Sequence, residues 1–186
     1  MKSLLKQYKP FFFFLGRFLL VYTILLLVYK IYLSGFNVKA NETDQITVAV
    51  AEQANGLMNF FGYNSSVKPS LTEASMNLFY GPNDYYVRVI EGCNAVSVMI
   101  LFAAFCFAFS AYFWRTLLYV IIGFIVIHLL NVVRIALILV LIVKYPHWFD
   151  TLHDIVFPLF IYGVVFVLWC FWLFKFSGYA KKYYNK

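Results

Sequence analysis

The sequence predicts an all-α polytopic membrane protein of about four transmembrane helices with both termini inside (N-in/C-in). A small extracytoplasmic segment, one helix and a β-hairpin, completes it. Three observations carry this expectation. The 186 residues are 63% hydrophobic and 22% aromatic, with a mean hydropathy of +0.79, far from a soluble average. The apolar residues gather into four long runs. The charges are sorted: Lys2, Lys6, Lys9, Lys175, Lys181, Lys182 and Lys186 crowd the ends, and all eight acidic residues fall between Glu42 and Asp154. The net charge of +7 therefore reads as juxtamembrane anchoring. It predicts the lipid bilayer as partner and no nucleic acid.

The first run, residues 11–33, follows a basic start and superficially resembles a secretory signal. It is too long for such an apolar core and ends at Lys30 and bulky residues, so an uncleaved signal-anchor helix is expected. Residues 1–33 form the first region. Residues 34–92 form a polar outer segment. Within it, 43–61 carries apolar residues at helical spacing behind the capping candidates Thr43 and Asp44. Residues 76–80 and 85–90 flank Gly81-Pro82-Asn83-Asp84, a hairpin signature. Residues 93–176 hold three further spans, expected at 95–113, 116–143 and 155–176, with a tight turn at Arg115 and a stop at Lys144-Tyr145-Pro146. Residues 177–186 form a basic tail. Lysine placement puts both termini and the Arg115 turn inside, and residues 34–92 and 144–154 outside.

Three polar residues stand at boundaries of these runs. Cys93 directly precedes the second span, where a helix dipole favours a thiolate; the plainer role is a small packing residue. His153 precedes the fourth span, a common place for an interfacial histidine. Arg134 interrupts an apolar run, which is costly in lipid. It lies about 27 Å along its helix from Thr116, at the outer level, and Asn131 shares its face; a snorkelling anchor is the alternative. His128, about 18 Å along the same helix, is expected as a buried, hydrogen-bonded structural residue. Cys106 and Cys170 sit within apolar runs and read as inert. His147, Asp150, His153 and Asp154 match no zinc signature, so no metal is expected. Asn41-Glu42-Thr43 and Asn64-Ser65-Ser66 match glycosylation acceptors, which matter only in a eukaryotic secretory setting. A thiol, a guanidinium and an imidazole at one membrane face have the makings of a nucleophile, an oxyanion-stabilising cation and a general acid/base.

Glu91-Gly92-Cys93 before one span, Asn131-x-x-Arg134 within the next and His153-Asp154 before the last resemble the exosortase/archaeosortase family, most closely its compact exosortase F branch. Larger members carry Cys-Ser-Gly where this chain has Cys93-Asn94-Ala95. The resemblance implies a bacterial inner (cytoplasmic) membrane cysteine protease/transpeptidase with its site on the extracytoplasmic side. It implies Cys93 as nucleophile, Arg134 as oxyanion cation and His153 as acid/base, supported by Asn131, Glu91, Asp154 and His128. Substrates would be exported proteins ending in a motif, a transmembrane helix and a basic tail. They would be cleaved through a thioester and passed to an unknown amine acceptor, with no cofactor. Two other classes remain open on the residues: a non-enzymatic membrane accessory or chaperone protein, and a thiol-dependent membrane acyltransferase.

Overall fold

The computed structural model describes residues 8–81, 85–110, 112–148 and 151–176. The chain divides into two compact units. One takes the chain up to Ile31, Ser97–Ile125 and from Val165 onward; the other takes Tyr32–Val96 and Val126–Val164. In chain order the elements are α1 (Lys9–Leu33), α2 (Gln45–Phe60), β1 (Ser66–Pro69), β2 (Met76–Tyr80), β3 (Tyr85–Val89), α3 (Val96–Ala108), α4 (Phe113–Lys144) and α5 (Phe157–Lys175). A π turn, Leu152–Val156, leads into α5.

Among the described residues, three stretches have the length and composition to cross a membrane: Phe11–Leu33, Phe113–Lys144 and Leu152–Lys175. Their outward faces carry large bare side chains, among them Phe13, Leu20, Ile31, Leu129, Leu159 and Phe166. So much contiguous apolar surface is unfavourable in water and suits lipid. The expected second span falls short. α3 has 13 residues, about 20 Å at 1.5 Å per residue against a hydrocarbon core of about 30 Å. Hydropathy runs on to Phe113, but the backbone reverses first. The Ser110 N–H closes onto the Phe107 carbonyl, and the Ser110 and Thr116 hydroxyls meet at 2.6 Å. Thr116 also donates to the Tyr112 carbonyl. The reversal thus precedes Arg115, which lies in the first turn of α4 with its guanidinium over the Tyr112 ring.

Aromatic packing dominates the first unit. Phe14 stacks on Phe109, Phe105 on Trp169 and Tyr119 on Trp172. The Tyr119 hydroxyl donates to the Leu168 carbonyl. A Cβ at Gly123 would overlap the ring of the fully buried Phe102. Gly123→Ala is therefore expected to cost about 1–3 kcal/mol through overpacking, read as a lower unfolding midpoint in detergent.

The second unit holds a conventional core. α2 buries Thr47, Val50, Ala51, Ala54 and Met58, the i, i+3, i+4, i+7 stripe of an amphipathic helix. That stripe joins Met76 and Leu78 of β2, Val89 of β3 and Val132, Ile135, Ala136 and Leu139 of α4. Asp44 caps α2 by accepting from the Ile46 and Thr47 N–H groups, which satisfies two of its free amides. The expected hairpin is present, although Pro82, Asn83 and Asp84 lie outside the described residues. It is enlarged by β1 into an antiparallel sheet of order β1-β2-β3. Met76, Leu78, Val87 and Val89 turn toward the core, and Phe79, Tyr86 and Arg88 alternate to the other face.

Candidate active site

β3 ends at Val89, and a 3₁₀ turn, Glu91–Cys93, joins it to α3. Two buried asparagines hold this turn. Asn131 on α4 is wholly buried. Its Nδ2 donates to the Cys93 carbonyl at 2.7 Å, and its Oδ1 accepts from Arg134 Nη1 at 3.4 Å. The i, i+3 spacing on one helix lets a single amide link the cysteine backbone to the guanidinium. Asn94, also buried, donates from Nδ2 to Thr47 Oγ1 on α2, and its Oδ1 accepts from the Val96 N–H at the start of α3. The backbone at Cys93 is thus pinned from both sides, and the residue is half-buried between the core and the cleft it lines.

Ala95 has φ +63°. This left-handed conformation costs a side-chain-bearing residue about 1–2 kcal/mol, and local strain concentrates at functional sites. Ala95→Gly is expected to relieve most of it. The net gain is about 0.5–1 kcal/mol after the entropy cost of glycine, visible as a higher unfolding midpoint.

His153 lies in the π turn before α5. Pro158 has no N–H for the Asp154 carbonyl, and the Phe157 N–H reaches back five residues to Leu152. Such wide turns recur at functional sites. His153 Nδ1 contacts Asp154 Oδ1 at 2.7 Å. Because a carboxylate accepts, Nδ1 carries the proton, which in neutral imidazole makes Nε2 the basic nitrogen.

Cys93 and His153 line one cleft of about 470 Å³, together with Glu73, Tyr86, Val87, Arg88 and Ile90. Arg134 is not in that lining; it connects through Asn131. Its Nε is buried without a hydrogen-bond partner, a costly arrangement unless a further acceptor arrives. Glu91 is exposed and lines a separate cleft with Glu42 and Asp44. His128 is half-buried, and its Nε2 meets Gln53 Oε1 of α2 at 2.6 Å. Cys106 is buried and Cys170 half-buried. Among the described residues no three of His, Cys, Asp and Glu gather as metal ligands; Asp150 lies outside them.

Sequence reasoning did not single out Tyr86 and Arg88 as cleft residues, nor Gln53 and Thr47 as partners. The only available signal was the alternation in β3, which puts Tyr86 and Arg88 on the face away from the core.

The family model described as transmembrane exosortase matches residues 7–175. The chain belongs to the transmembrane exosortase family and is a membrane protein of mainly helical fold. No curated protein and no solved structure matches it.

Proposed function

We propose that this chain is a cysteine transpeptidase that removes C-terminal sorting signals from exported proteins at the outer face of a bacterial cytoplasmic membrane. The observation that carries the reading is the shared cleft: Cys93 and His153 line it, while Asn131 links Cys93 to Arg134. In the proposed reaction the Cys93 thiolate attacks the scissile carbonyl. Arg134, which does not line the cleft in the free protein, would bring N–H groups not engaged by Asn131 to the oxyanion once substrate is bound. The His153 imidazolium protonates the departing amine, the C–N bond breaks, and a thioester to Cys93 remains. An external amine then attacks the thioester, His153 takes its proton, and the cysteine is released; water would give hydrolysis instead. Asp154 orients the imidazole, and Asn131 fixes both the cysteine backbone and the guanidinium. These steps need no cofactor.

The topology follows from the lysine distribution: termini inside, residues 34–92 and 144–154 outside. The test is alkylation of intact cells or right-side-out vesicles with a membrane-impermeant maleimide. Labelling of Cys93 with parallel loss of tail processing is expected. An unlabelled thiol in a protein that still processes substrate would contradict the orientation, and full labelling without loss of processing would contradict the nucleophile.

A further inference from the structure

We propose that the unpaired edge of β3 is the substrate-docking edge. An extended stretch of the exported polypeptide, just ahead of its membrane helix, adds there as a fourth strand and so reaches Cys93. The inference rests on the transpeptidase reading and names how that site holds its substrate. The sheet order β1-β2-β3 leaves one side of β3 without a strand. Among the described residues, no backbone–backbone hydrogen bond outside the β2 ladder involves residues 85–89. Three consecutive residues, Tyr86, Val87 and Arg88, line the cleft that holds Cys93 and His153. Successive side chains of a strand point to opposite faces, so a cleft touching all three runs along the strand's edge. The β3 side of that cleft therefore offers backbone amides and carbonyls that β2 does not take up, which an extended peptide complements.

The two edges of the sheet also differ in protection. β1 carries Lys68 and ends in Pro69, the usual devices against strand addition. β3 has neither lysine nor proline, and the charge of its Arg88 is engaged by Glu73. Only three residues lie between Val89 and Cys93, a step of four positions and about 13 Å of extended chain at most. A peptide paired along β3 thus ends within reach of the thiol. A second copy of this chain on the same edge would bury the cleft that holds the cysteine, so the occupant is the substrate polypeptide.

The test uses the full chain in lipid nanodiscs. The probe is a synthetic peptide spanning the segment ahead of the membrane helix of a protein whose tail is lost in a Cys93-dependent manner. Peptides are N-methylated one backbone position at a time. Cleavage is expected to fall by about tenfold or more at every second position, where an inter-strand bond is lost, with the intervening positions tolerated. With C93A protein, the unmethylated peptide is expected to slow amide exchange in alternate residues of β3. Cleavage that ignores backbone methylation, or β3 protection that follows self-association and not peptide, overturns the docking edge and leaves the transpeptidase reading intact. Absence of any Cys93-dependent cleavage overturns both.

Discussion

Replacing Cys93 with alanine is expected to end tail processing while leaving the protein folded. The expected loss is at least about four orders of magnitude, on the order of 5 kcal/mol of transition-state stabilisation, if Cys93 carries the proposed acyl intermediate. Stability should hardly change. Cys93 is only partly buried, and the hydrogen bond at this position is accepted by its backbone carbonyl from Asn131, which alanine keeps. Cys93→Ser offers the same shape with a far weaker nucleophile and is expected to retain only a trace. The comparison needs initial rates of tail removal beside unfolding midpoints of the same preparations. A packing role for Cys93 predicts the reverse pattern, with midpoints falling and rates unaffected.

Arg134 carries the second large effect. Arg134→Gln is expected to lower the rate by about 10²–10³-fold, the usual consequence of losing an oxyanion donor. Arg134→Lys should rescue little. An ammonium retains the charge, but it cannot at once donate to Asn131 and present a separate planar donor to an oxyanion. That substitution separates catalysis from anchoring, since a snorkelling residue tolerates lysine. Asn131→Ala should weaken both partners. It leaves the Cys93 carbonyl without its donor at a cost of about 1–3 kcal/mol in stability, and it frees the guanidinium to move. Rates from membranes carrying each variant, normalised to folded protein, check all three.

Much of this arrangement is legible in the residues because lipid imposes simple rules. A run long enough to span must be helical, so α1, α4 and the turn-plus-helix ending at Lys175 follow from hydropathy alone. Asn131 and Arg134 follow from i, i+3 spacing. The end of α3 is hidden for the same reason: Phe109 and Phe113 are as apolar as the helix before them, and the reversal is marked by bonds of Ser110 and Thr116 that hydropathy does not register. β1 is hidden because four residues ending in proline give no alternation to read. Partners far apart in sequence, His128 with Gln53 and Asn94 with Thr47, leave no local signature. The left-handed backbone at Ala95 is likewise invisible in an alanine.

The most direct measurement is intact-mass analysis of the full-length protein isolated from cells making a processed substrate, with and without hydroxylamine. The expected result is an adduct on Cys93 with the mass of the exported portion, labile to hydroxylamine as a thioester is, and absent from C93A protein. Continued tail removal by C93A protein, or an adduct that maps to another residue, would contradict the account.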